Sequence, residues 1–248
     1  MFKKILKISG VLVIVLAVMA FAWLEYSTEK NRATPTDLAI AALASDDRVI
    51  VELGDWLVMR PANASPKIGM IVYPGANCDI RGYAPVLREI AAAGYLVVAM
   101  SMPYDFAIFA PGSASEVPPQ YPEIEKWVLT GHSMGGAMAG TFAANNADQL
   151  DGLIMWDSYP ATALVESTLP VTHIHRATLG GEPPENFTAN RPLFPADSNW
   201  VPIRGGIHMY FGSFDGGGYT ELWEPKITAA EQHKIVIAAT IAALQAVE

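Results

Sequence analysis

The sequence predicts an α/β fold, a mostly parallel twisted sheet with helices on both faces, preceded by an N-terminal apolar helix. Two observations predict it. From residue 49 onward, short runs rich in Val, Ile and Leu alternate with helical patterns, as parallel strands joined by crossover helices do. Several of those runs are apolar throughout instead of alternating, which marks strands covered on both faces. The 248 residues are enough for one domain with a full core. At 51% apolar and 17% charged, the composition excludes a disordered chain.

The elements follow in order. Lys3, Lys4 and Lys7 precede residues 8–24, a run without charge that Glu25 ends. A basic stretch followed by an apolar one reads as an export signal. Two outcomes stay open for residues 1–27. Ala20-Phe21-Ala22 resembles a small-x-small cleavage site, and the run is also about long enough to stay as a signal anchor across roughly 30 Å of hydrocarbon. Lysines before the span and none directly after it place the body, residues 28–248, outside the cell membrane. Residues 25–47 read as a stalk or a short leading helix, with Thr34-Pro35-Thr36-Asp37 as its start. Gly54-Asp55 between 49–53 and 56–60 predicts an antiparallel hairpin. Residues 68–73 and 95–100 are buried strands flanking a helix over 84–93, with Pro85 in its first turn and Gly94 beyond its end. Residues 103–122 hold five prolines and form loop or cap; Phe106, Ile108 and Phe109 there are candidates to line an acyl pocket or a lid. A strand over 127–130, a small-residue helix over 134–146 and a strand over 153–156 come next. The Pro- and Thr-rich stretch 160–200 contains one strand near 170–175; the last strand is 200–204, and a closing helix runs over 228–247.

Net charge is −9, with no basic block beyond the first seven residues, so a nucleic-acid surface is excluded. The single cysteine, Cys78, excludes an internal disulfide and paired-cysteine metal sites. His173-x-His175 supplies two metal ligands without a suitably spaced third, and no phosphate-cradling glycine pattern occurs, so no metal and no cofactor is expected.

The chemistry concentrates in Gly131-His132-Ser133-Met134-Gly135, which lies between the strand at 127–130 and the helix at 134–146. A serine on a tight strand-to-helix turn has its Oγ pushed out above the sheet, and the flanking glycines remove Cβ atoms that would clash in the turn. The helix that follows aims N–H groups at developing negative charge. Ser133 is the predicted nucleophile.

Several segments resemble small bacterial α/β-hydrolases related to dienelactone hydrolase, over roughly residues 50–245. They are Val72-Tyr73-Pro74-Gly75-Ala76, Gly82-Tyr83-Ala84-Pro85 with Gly94-Tyr95-Leu96-Val97-Val98, the Ser133 turn, Trp156-Asp157-Ser158-Tyr159-Pro160, and Gly205-Gly206-Ile207-His208 with Phe211-Gly212. The resemblance implies the α/β-hydrolase fold and an esterase-like activity, without a definite substrate. A serine hydroxyl needs a base, and on this fold the base is a histidine after the last strand, with chain order Ser, acid, His. His208 has that position and matches the family's histidine. His132 lies inside the turn with its side chain directed away from the nucleophile, His173 and His175 lie on a predicted strand, and His233 on the closing helix. The oxyanion needs two donors. The backbone N–H of Met134 is one; the other is assigned to Ala76, with Asn77 as the alternative, and an ordinary Pro-Gly turn as the competing explanation of that loop. Cys78 nearby lacks the turn context and is a bystander.

The acid departs from the family pattern. The position where relatives carry Asp, after the strand at 170–175, is Leu179. Asp157, at the end of the strand before it, is the expected replacement, since the two strand ends are neighbours on this fold. A turn-capping Asp157 with Glu182 as acid, or with none, is the competing reading. Three functions are carried forward. The first is a serine hydrolase cleaving an ester, thioester or amide of a small-molecule acyl substrate. The second is a membrane-anchored binding protein on a hydrolase scaffold, which Leu179 keeps open. The third is an acyltransferase or perhydrolase using the same residues.

Overall fold

The computed structural model describes residues 15, 16, 18, 19, 21–23 and 25–248. Most of the apolar segment 8–24 lies outside them. The described residues between 15 and 31 are helical, and among the described residues no helix is long and apolar enough to cross a membrane. The expected apolar membrane helix is therefore not part of the architecture described below.

Eight strands make the main sheet. In chain order they are β2 (Val49–Leu53), β3 (Trp56–Pro61), β4 (Ile68–Tyr73), β5 (Leu96–Met100), β6 (Lys126–His132), β7 (Gly152–Trp156), β8 (Val171–Ala177) and β9 (Asn199–Arg204). They lie in the order β2-β3-β5-β4-β6-β7-β8-β9. The β2–β3 hairpin is antiparallel, β3 runs antiparallel to β5, and all later pairs are parallel. Alternate side chains enter two separate cores, as a pleated strand requires. Met70 and Val72 of β4, with Val97 and Ala99 of β5, face one; Ile71, Tyr73, Val98 and Met100 face the other.

Helices cover both faces. The first core lies under α2 (Ala84–Ala92), which begins with Pro85 in its first turn, and α5 (Ala229–Gln245). α5 starts on a capping box in which Thr228 and Glu231 satisfy each other's backbone N–H, and Thr240 on its inner face accepts from Trp156 Nε1 at 3.1 Å. The second core lies under α3 (Met134–Asn145) and the Pro-rich stretch 103–120, which folds as four short 3-10 turns.

Three features differ from expectation. Residues 25–47 are more than a stalk: β1 (Ala33–Pro35) pairs antiparallel with β10 (Phe214–Gly216), so β9 is the sheet's edge but not the last strand. A short helix α1 (Asp37–Ala41) then starts where expected, with Thr36 as its N-cap. Within 160–200 a further helix, α4 (Glu185–Asn190), accompanies the expected strand. Finally, β6 extends through Gly131 to His132, because the glycine lets strand backbone run straight into the turn.

Candidate active site

Ser133 sits where β6 ends and α3 begins, at φ 53° and ψ −123°, a conformation that costs energy for any residue with a Cβ. The backbone around it is packed too closely for other side chains. A Cβ on Gly131 would lie 2.4 Å from the Gly135 carbonyl, and one on Gly135 would lie 2.3 Å from the Tyr73 carbonyl oxygen. The turn is tied to β7, with the Ser133 N–H donating to the Trp156 carbonyl at 3.1 Å and Ser158 Oγ to the Ser133 carbonyl at 2.5 Å.

Sheet register explains which side chains meet. His132 on β6, Trp156 on β7 and Ile174 on β8 are aligned across three parallel strands. The residues that follow, Ser133 and Asp157, therefore emerge side by side at the carboxyl edge, where ligands bind on open α/β sheets. Asp157 also has positive φ, 47°, and its N–H donates to the Ile174 carbonyl at 2.8 Å. Its carboxylate is buried: Oδ2 is 2.5 Å from His208 Nδ1 and is also bonded by Arg176 Nη1, while Oδ1 accepts the Arg176 N–H at 2.8 Å. Burial alone would raise the Asp157 pKa. The bond from His208 and the positive Arg176 outweigh it and hold the carboxyl at about 2.

His208 is presented by the loop after β9, which two clamps fix. Gln232 on α5 accepts the Ile207 N–H at 2.9 Å and donates to its carbonyl at 2.8 Å. Glu221 accepts the N–H groups of His208 and Met209, at 3.0 and 2.7 Å. The imidazole lies between the Tyr219 ring, 4.1 Å away between centroids, and His132, 4.5 Å away. His132 is buried. Tyr83 Oη accepts the Gly75 N–H at 2.9 Å and is hydrogen-bonded to His132 Nδ1 at 2.8 Å. Burial, then the neighbouring His208, push the His132 pKa well down, so this second histidine is a neutral floor under the first.

Ser133, Met134, Asp157 and His208 all line one cavity of about 240 Å³. Ala137, Ser158, Tyr159, Arg176, Asn186, Phe187 and Tyr219 complete it. Ala76 borders an adjoining cavity of about 190 Å³ that shares Tyr219. Among the described residues the amides of Met134 and Ala76 donate to no protein group, whereas that of Asn77 is bonded to the Asp105 carbonyl at 3.0 Å. Asn77 is thereby removed as a donor.

Other expectations resolve by placement. Leu179 is 63% exposed beyond the end of β8, and exposed Glu182 is bonded by the Thr178 hydroxyl, whereas the carboxylate bonded to His208 is that of Asp157. Ile108 and Phe109 are exposed, and neither they nor Phe106 line the Ser133 cavity, whose wall comes instead from α4 and the Tyr219 loop. Cys78 is buried, with its thiol pushed up to about 12, mainly by burial. His173 and His175 are enclosed on β8, and His233 bonds the Gly212 carbonyl. Sequence reasoning missed Arg176, Tyr219, Glu221 and Gln232. For Arg176 a signal existed: a charge inside the covered strand Val171–Ala177 must have a buried partner.

This fold and cavity define an α/β enzyme scaffold with its site at the carboxyl edge of the sheet. The chain belongs to the alpha/beta hydrolase family, which it matches over residues 69–219, more than half its length. Among solved structures it is similar to TT1662 from Thermus thermophilus, with TM-score 0.54, 15% identity, and coverage of 80% of this chain and 99% of that one. It is similar to a ferulic acid esterase from Streptomyces cinnamoneus, with TM-score 0.52, 18% identity, and coverage of 75% and 68%. A structure described with LipS and LipT, two metagenome-derived lipolytic enzymes, gives TM-score 0.55, 11% identity, and coverage of 81% and 98%. At these identities the likeness is one of fold. No curated protein matches the sequence.

Proposed function

We propose that this chain is a serine hydrolase that cleaves carboxylic esters through an acyl-Ser133 intermediate. The observation that carries this is the buried Asp157–His208 bond of 2.5 Å beside a serine held at positive φ in the same cavity. In this mechanism His208 Nε2 takes the Ser133 proton as Oγ attacks the carbonyl carbon. The N–H groups of Met134 and Ala76 receive the oxyanion. His208 then gives its proton to the leaving alkoxide, and a water activated by the same imidazole releases the acid. Asp157 fixes the imidazole tautomer and stabilises its charged form. A cavity of about 240 Å³ favours small acyl groups.

The lysines before an uncharged apolar run support a division into a signal anchor or cleaved signal over residues 1–27 and an extracytoplasmic catalytic domain over 28–248.

The test is labelling with a fluorophosphonate, which reacts only where base and oxyanion donors are assembled. Wild type should take one label on Ser133, and Ser133→Ala none. Absence of label in wild type, or label unchanged in Ser133→Ala, overturns the proposal in favour of a binding protein on a hydrolase scaffold.

A further inference from the structure

We infer that Arg176 is a positioning residue for this site: its backbone N–H and guanidinium together grip the Asp157 carboxylate and hold it, ionised, against His208. The inference rests on the serine-hydrolase reading and adds a fourth member to it.

The geometry is specific. Asp157 receives three bonds, and two come from one residue, to different oxygens. The guanidinium is 4% exposed and lies over the rings of Phe187, Tyr219 and Trp223 at 5.6, 5.8 and 6.0 Å. Its Nε is buried without a partner among the described residues. A charge desolvated to this degree is costly unless a countercharge offsets it. The only carboxylate it bonds among the described residues is Asp157, so the ring-lined slot orients its charge toward that one group.

The need for such a grip follows from where the acid sits. Asp157 emerges from the carboxyl end of β7 almost wholly buried, with little solvent to favour its charge. A neutral imidazole alone would leave a buried carboxylate prone to take up a proton or to turn from Nδ1. The other groups facing the pair are Tyr219 above, neutral His132 below, and Glu221, which is occupied by the His208 and Met209 amides. Ser133 lines the same cavity, and His173 and His175 lie deeper along β8. Arg176 is the only permanent positive charge in this set. Removing it makes the Asp157–His208 pair hold a proton more tightly, so the acid limb of the kcat/KM profile must move to higher pH.

The experiment is the pH profile of kcat/KM on a short-chain p-nitrophenyl ester for wild type, Arg176→Met, Arg176→Gln and Arg176→Lys. Circular dichroism and fluorophosphonate labelling are run on each protein. The uncharged variants should lose about ten- to a hundredfold in kcat and shift the acid limb up by about one pH unit or more. Arg176→Lys keeps the charge but not the fork. Its limb should stay within a few tenths of a unit of wild type, with kcat reduced. A folded Arg176→Met or Arg176→Gln with an unmoved limb and kcat within about twofold of wild type overturns the inference. If both fail to fold, Arg176→Lys decides: a limb displaced by a full unit despite the retained charge overturns it. A wild type that takes no label ends the hydrolase reading itself, a separate outcome from unshifted variants of a labelled enzyme.

Discussion

Asp157 bears two loads at once, since its carboxylate is bonded to His208 and neutralises a buried guanidinium. Asp157→Asn is therefore expected to lower kcat by roughly 10³- to 10⁴-fold. It should also destabilise the fold by about 3–5 kcal/mol, because Arg176 is left unpaired. Ester turnover and urea unfolding check the two effects, with Glu182→Gln as the control that changes neither. The same carboxylate has a pH signature. Its pKa is lowered to about 2 in the fold, so its stabilisation is present above the ordinary carboxylate pKa and is lost as pH falls from about 4 toward 2. At this scale the sequence was partly legible. Ser133 and His208 carry motifs, and Asp157 could be found because Leu179 empties the usual position. Arg176, Gln232 and Glu221 carry no motif, and their contacts span 19, 25 and 13 residues, so only the folded chain brings them to the site.

The β6–α3 turn works because its glycines allow backbone to touch backbone. Gly135→Ala drives a methyl into the Tyr73 carbonyl, which cannot yield as a side chain end can. Destabilisation of about 1–3 kcal/mol or more is expected, with loss of fluorophosphonate labelling even where protein remains folded. α4 contributes Asn186 and Phe187 to the cavity wall. Phe187→Ala is expected to change KM across an acyl chain-length series, while Phe109→Ser leaves it unchanged, because Phe187 lines the cavity and Phe109 does not. The long elements were legible in the sequence, since covered strands and capped helices have strong local patterns. β1 and β10 were not: three residues each, they are defined by a long-range pairing, centred on Thr34 and Asp215, that no periodicity announces. The Phe106–Phe109 stretch is apolar in composition, yet nothing local tells which side of the sheet it covers.

At the scale of the whole molecule, burial keeps His132, His173, His175 and His233 below their ordinary pKa. The folded chain refuses protons that the unfolded chain accepts near 6.5, so stability falls as pH drops below that value. Each such histidine contributes up to about 1.4 kcal/mol per pH unit. Urea unfolding between pH 8 and 5 should show this slope. His173→Phe should flatten it by one proton, since both His173 nitrogens are buried among aromatic rings with no hydrogen-bond partner among the described residues.

Whether Ser133 carries the acyl group during turnover is decided by acid-quenching the enzyme with a p-nitrophenyl ester and mapping the trapped acyl mass. The added mass is expected on the peptide containing Ser133, and is expected to be absent when His208 is replaced by Gln. An acyl group found on another residue, or brisk hydrolysis by Ser133→Ala, would contradict it.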